Sequence, residues 1–487
     1  MYKSRYGQIA ISENPLGFRG VKLDPENRWI KIAEMIPWDL IEEKYSKQFE
    51  ESKGGNPAKP AHIIKEKYCI SDVEVLEHIK ESPYLQWFIG MEEFSHEAPF
   101  DSSTMTLFRK RLTPEMIAEV NDYIIGRKPE IDSDEDDDDH GSLGNDGSEE
   151  NSKAEDAENK GTLILDATCA PADIKFPTDV DLLGRAREKT EDLITDLHSQ
   201  DKTGKKKPRT YCKVARKDYL RFARNRKPTR KAIRKAIRRQ LNYLRRNLAT
   251  IQKMLEQGSK LTLKQTKLLE TIQMLYQQQE EMYREKKHQV KNRIVSISQP
   301  WVRPIVRGKA NASVEFGAKV AIGVVNGFVT VEHLAWEAYN ESTTLIDSIE
   351  KYKQDTGHYP KRILADKIYR TRENLQYCKE HGIRMNGPKL GRPPKCLKVY
   401  AAQCRLEREE SGERNEVEGK FGVGKRIYRL DRIPTKLKDT SETTIHLVFL
   451  VMNIERRLRV FLLPFFKICK NIVFFNAKEE KGLQISV

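Results

Sequence analysis

Three groups of acidic residues could do chemistry together. Asp166 closes the apolar run TLILD, Asp366 closes RILAD, and the stretch 406–418 supplies Glu407, Glu409, Glu410, Glu413, Glu416 and Glu418. Carboxylates are hard oxygen donors, and two strand-end aspartates with a glutamate from a later helix could hold divalent cations. Two such ions about 3.5–4 Å apart can activate a water or a 3′-hydroxyl and stabilise the leaving oxygen at a phosphodiester. A lone aspartate closing a strand ordinarily serves a turn or a helix cap. Two in matching settings carry more weight. The glutamate is ambiguous from pattern alone, because most of the six must simply be solvated.

The elements around these residues must bring them together. GTLILDATCAPAD reads as a buried strand delivering a carboxylate at its C-terminal end. PTDVDLLGRAREKTEDLITDLH then starts a helix capped at Thr178. KAIRKAIRRQLNYLRRNLATIQKML and LTLKQTKLLETIQMLYQQQEEMYREKK, on either side of EQGSK, predict an antiparallel helical hairpin inserted into the fold. Strands resume at 316 with a hairpin at Asn326-Gly327. A helix stopped by Gly357 follows, then the strand KRILAD, a helix, the short strand IRMNG, a basic loop (GPKLGRPPK) and the glutamate helix. That order can set the ends of the first and fourth strands side by side. The expected class is α/β: a mixed-sheet core over 161–178 and 316–460, a basic helical insertion over 179–315, and a tail over 461–487.

Residues 1–128 read as an all-α N-terminal domain. DSSTMTLFRKRLTPEMIAEVNDYII begins with a Ser/Thr cap cluster, and its helix sets Arg109, Lys110 and Arg111 beside apolar neighbours, as a DNA reader or an ordinary bundle helix could. Residues 129–160 are acidic and almost free of large apolar groups, which predicts a disordered linker.

Charge narrows the partners. The chain of 487 residues has a formal charge of +15, yet 131–160 holds thirteen acids against two lysines. Residues 202–246 hold twenty Lys/Arg and one acid, Asp218. Such local positive charge implies a polyanion, most plausibly nucleic acid, bound in a salt-sensitive way. No apolar run approaches the length of a membrane span, no secretory signal opens the chain, and the seven cysteines form no CxxC pair. The expected setting is a reducing cytoplasm without membrane contact.

These residues resemble a known group. The chain is similar to DDE transposases of bacterial insertion sequences, in the group named after insertion sequence five. That group carries a Y-x2-R-x3-E-x6-K signature around its catalytic glutamate. Arg414, Glu418 and Lys425 stand at those spacings, with Ser411 in the tyrosine position. LILDAT matches the first-aspartate strand, ILADKIY the second (with Ile368 where glycine is more usual), and DSSTMTLFRKRL the N-terminal segment. The resemblance implies an RNase H-like core in which Asp166, Asp366 and Glu418 bind two Mg²⁺ (or Mn²⁺). It implies that Arg414 and Lys425 face DNA near the scissile phosphate. The implied chemistry is hydrolytic nicking at element ends, then attack of the 3′-hydroxyl on target DNA without ATP.

The partners implied are double-stranded DNA, as terminal inverted repeats and as target, and a second copy of the chain, since two ends must be paired. The expected location is at the bacterial nucleoid. The N-terminal helices, with Arg109, Lys110 and Arg111, would read the inverted repeats. The insertion, with Arg230, Lys231, Arg234, Lys235, Arg238 and Arg239, would clamp DNA or serve dimerisation. The rival readings are a catalytically inactive DNA-binding derivative and a purely hydrolytic nuclease of the same fold.

Residues 419–425 also fit G-x-x-x-x-G-K, the phosphate-cradling P-loop. A P-loop needs a strand before it and Ser or Thr after the lysine. Here a charged helix precedes and Arg426 follows, so no nucleotide cofactor is expected.

Overall fold

A computed structural model describes residues 18–46, 61–126, 159–200, 206–306, 314–387 and 396–482. The predicted acidic linker and most of the basic Pro/Gly loop lie outside the described residues.

Seven short helices come first: α1 (Arg28–Met35), α2 (Trp38–Ser46), α3 (Ala61–Tyr68), α4 (Asp72–Glu81), α5 (Pro83–Phe88), α6 (Thr104–Arg111) and α7 (Pro114–Ile124). Their starts are written in the sequence. Ser71 caps α4 in a reciprocal box with Glu74. The single helix expected across 101–125 is in fact two. Thr113 caps the second and Pro114 takes its first turn, where the missing N–H costs nothing.

The sheet contains β1 (Thr162–Pro171), β2 (Arg303–Val306), β3 (Val314–Val325), β4 (Phe328–Ala335), β5 (Arg362–Leu364) and β6 (Arg384–Met385). β1, β3 and β4 are antiparallel neighbours, while β5 joins β1 in parallel and β6 joins β5 in parallel. β2 shares with β4 the far edge of the long β3. The β3–β4 turn is Asn326-Gly327, with φ of 51° and 77°, as a two-residue primed turn requires. The core is thus the expected mixed sheet.

Between β1 and β2 lie α8 (Asp179–Ser199), α9 (Cys212–Ala223), α10 (Arg230–Glu256) and α11 (Leu263–Glu285). The expected hairpin of α10 and α11 is present, but it is not alone. Leu183 and Ala186 of α8 bury against Leu241 and Leu244 of α10 and Ile272 and Leu275 of α11. Helix α8 thus completes a three-helix bundle, with α9 beside it. The insertion also ends earlier than 315, because β2 pairs with β3 and belongs to the sheet.

The other face elements are α12 (Leu345–Thr356), α13 (Arg372–Glu380), α14 (Leu397–Ile427) and α15 (Lys438–Gly482). Helix α15 runs on through the predicted tail to Gly482. Its buried run Leu447–Met452 lies between the N-terminal helices and the sheet in one continuous apolar cluster. Asn453 cross-links them: its amide donates to Asn121 Oδ1 and to Val329 O, both at 2.7 Å. The N-terminal domain therefore shares a core with the sheet. Among the described residues no helix is long and apolar enough to cross a membrane.

Candidate active site

Strand register places the two aspartates. β1 and β5 pair in parallel with Thr162 opposite Arg362, Leu163 opposite Ile363 and Ile164 opposite Leu364. Continued by two residues, that offset sets Asp166 level with Asp366. Alternation then turns both toward the sheet face of Ile164 and Leu364, which packs in one cluster with Val417 and Phe421 of α14. One expectation needs correction: Asp166 does not close its strand. β1 continues to Pro171 because β3 pairs with it along Ile164–Pro171, so Asp166 is a mid-strand residue where the shorter β5 has ended. Asp366 does sit just past its strand, capping a 3-10 turn and accepting from Lys367 N–H at 2.6 Å.

Helix α14 crosses the same face. Arg414, Val417, Phe421 and Gly424 follow at three- and four-residue steps, and the last three are buried. Arg414 lies between two carboxylates: it is 3.3 Å from Glu418 Oε1 and 4.0 Å from Asp166 Oδ2. The crowd of glutamates also resolves. Glu410 pairs with Arg384 of β6 and Glu413 with Arg362 of β5 at 2.6 Å, clamping α14 to the sheet edge. Glu407 and Glu409 bond within the helix to Gln403 and Arg405. The Glu418 side chain is 56% exposed, and it pairs with Arg414 one turn away.

Burial pushes the Asp166 carboxyl up to about 6; a hydrogen bond from Ala167 N–H opposes this, Glu341 and Asp366 add to it, and Arg414 offsets part. The carboxylate is short of positive charge, and its donors are the hard oxygens that divalent cations prefer, so the residues suit such an ion. Among the described residues no three His, Cys, Asp or Glu side chains converge closely enough to hold a metal. Asp166 and Asp366 are brought level, whereas Glu418 is held on Arg414.

Two neighbours of Asp166 carry no signal in the sequence. Glu341 follows β4, paired with Lys319 at 2.8 Å, and it raises Asp166 more than Asp366 does. Tyr369 is buried beside Glu341 and Asp166, and burial pushes its phenol well up.

The basic residues divide. Lys425 is half-buried in the last turn of α14, so residues 419–425 are helix and not a phosphate loop. Arg109 turns inward: its side chain is 8% exposed and its guanidinium is 2.7 Å from Asp72. The expectation that it faces DNA is not met, because the helix needs it to neutralise a half-buried carboxylate. Lys110 is exposed and Arg111 half-buried. On α10, Arg230, Lys231, Arg234, Lys235 and Arg238 are exposed, while Arg239 pairs with Asp218 at 3.1 Å.

Comparison with known proteins bears on the same segments. Residues 363–455, from β5 into α15, match a family model described as Transposase DDE domain. Residues 19–111 match one described as Transposase domain (DUF772). Both are transposase domains. The DDE match carries Asp366, Arg414, Glu418 and Lys425, and it implies an RNase H-like fold, in keeping with the mixed sheet. DDE transposases normally use divalent metal ions and act on DNA. An uncharacterized protein of Rhizobium meliloti, ORF8 in the nfe locus, is 36% identical over 104 residues, covering 20% of this chain and 49% of that protein. The chain thus spans about half the length of that relative. No solved structure matches.

Proposed function

We propose that the chain is a DDE transposase that cleaves DNA at the ends of an insertion sequence and joins the freed 3′-hydroxyl to target DNA. The observation that carries this reading is the register of β1 and β5. It sets Asp166 beside Asp366, on the face crossed by the Arg414–Glu418 turn of a helix inside the DDE match. Asp166, Asp366 and Glu418 would hold two Mg²⁺ or Mn²⁺. Such ions, when bound, acidify the attacking water or 3′-hydroxyl and stabilise the leaving oxygen.

The chain's own residues supply the rest. Arg414 holds Glu418 and screens Asp166 while the carboxylates lack a cation. Its planar fork suits two oxygens of a phosphate once the carboxylates have other partners. Lys425, two turns along α14, would add a point charge on the same backbone. The shared core of α15, α7 and β4 would fix the N-terminal domain relative to this face, so that reading an inverted repeat also positions the scissile bond. A dimer or larger assembly would pair two ends.

Supercoiled plasmid carrying the element ends, incubated with the protein and Mg²⁺, tests the reading. Wild type should nick it, and Asp166→Ala should bind the same DNA without nicking. Binding by wild type with no cleavage in Mg²⁺ or Mn²⁺ would instead support a DNA-binding derivative and sink the enzyme reading.

A further inference from the structure

The helical bundle holds a second basic feature, separate from the outward cations of α10. A cavity of about 710 Å³ opens between α8, the start of α9, the start of α11 and the loop at Ile297. Its acids are already engaged. Glu188 and Glu191 pair with Arg187 at 3.0 and 2.6 Å, and Asp192 faces Lys189 at 3.6 Å. Lys213 and Arg216 of α9 and Lys264 of α11 also line the cavity, and among the described residues none of the three makes an ion pair. Three cations without an ion-pair partner, from two helices, thus line one space, offset in part because Glu188 and Glu191 share the single charge of Arg187.

Two further observations point to an anion. Arg187 is 1% exposed, and its Nε–H is buried without a hydrogen-bond acceptor. Leaving such a donor unmet is costly, and the guanidinium that carries it forms part of the cavity wall. Helix α9 also begins uncapped. Tyr211, at the cap position with φ of 56°, makes no side-chain cap bond, and Cys212 and Lys213 of the first turn of this 12-residue helix line the cavity.

We infer that this cleft binds phosphate groups of a DNA backbone, giving the insertion a phosphate site in addition to the face of α10. DNA is favoured over a free anion because the cavity far exceeds one phosphate in size and adjoins the most basic stretch of the chain, 202–246. Contacts of this kind position a duplex and carry no sequence preference. The inference rests on the DNA-handling reading above and deepens it.

The test uses the full chain and a labelled DNA duplex, with binding followed by fluorescence anisotropy over a series of salt concentrations. Each lost phosphate contact reduces the slope of log K against log salt by about 0.9. Lys213→Gln/Arg216→Gln should therefore lower the slope by nearly two and Lys264→Gln by nearly one, equally for duplexes of unrelated sequence and with unchanged melting temperatures. Wild-type slopes in both variants would overturn the inference. Calorimetric titration with inorganic phosphate is the second arm: binding lost in the double variant, with no change in duplex slope, would assign the cleft to a free anion and also overturn it. If wild type shows no salt-dependent duplex binding, the broader DNA reading fails first. If wild type binds and nicks DNA while the variants keep its slope, only the cleft assignment falls.

Discussion

Glu66→Gln should stabilise the protein above neutral pH and do nothing in acid. Glu66 lies on α3 at the junction where Cys69 Sγ donates to Ile427 O, the last residue of α14, at 3.0 Å. Burial pushes its carboxyl up from 4.5 to about 7, against the opposing charges of Lys65 and Arg109. A carboxyl raised in the folded state is stable when protonated, so the penalty is absent below pH 4.5, grows between 4.5 and 7, and is complete above 7. A shift of that size corresponds to a difference on the order of 3 kcal/mol. Glutamine matches the protonated form in shape and removes the penalty.

His62, buried nearby and pushed down to about 3, acts in the opposite direction: its neutral form is favoured, so stability is lost as pH falls below 6.5. That contribution is common to both proteins and cancels in their difference. Urea denaturation followed by tryptophan fluorescence, to which the buried Trp29 contributes, provides the assay. The difference in unfolding free energy should be near zero at pH 4.5 and reach its plateau above pH 7. A difference independent of pH would refute the reasoning, since a packing effect of glutamine does not titrate.

Other perturbations follow from the same geometry. Asp166→Asn should raise stability in metal-free buffer at pH 8 by on the order of 1–2 kcal/mol, because the raised carboxyl carries a penalty above pH 6. Adding Mg²⁺ should raise the melting temperature of wild type and leave that of Asp166→Asn unchanged. Arg384→Ala strands Glu410, whose side chain is 3% exposed, and should cost about 3 kcal/mol in urea denaturation, whereas Arg405→Ala on the solvent side should cost less than about 0.5 kcal/mol. Lys231→Gln/Lys235→Gln/Arg238→Gln should weaken duplex binding and lower its salt slope by up to about 3 without changing stability. Arg109→Gln should do the reverse, losing stability because Asp72 keeps only Lys65 of its two cationic partners, while the slope stays at the wild-type value.

The placement of the two aspartates could be read from the sequence because the pattern and the register agree. The two aspartates are 200 residues apart, and β1 and β5 pair at an offset of 200, so two short apolar runs ending alike became neighbours. The hairpin at Asn326-Gly327 and the stop at Gly357 were legible for a simpler reason: both need positive φ, and the residues present tolerate it. What escaped depends on tertiary partners. Asp166 lies mid-strand because β3 is long, which no local pattern in 162–171 reveals. Arg109 resembles any exposed helical arginine until Asp72 is brought beside it from 37 positions away. Glu341 has no periodic apolar run behind it and reaches Asp166 only through the path of β4. The packing of α8 onto the hairpin was not legible, because its apolar stripe finds its partners on α10 and α11 only in the folded bundle.

Strand transfer is the most direct test. A DNA duplex with a pre-cleaved element end and a free 3′-hydroxyl, mixed with protein, Mg²⁺ and plasmid, should give joined products for wild type and none for Asp366→Asn or Glu418→Gln. Nicked or degraded plasmid with no joined product from wild type would contradict the transposase reading and leave a hydrolytic nuclease in its place.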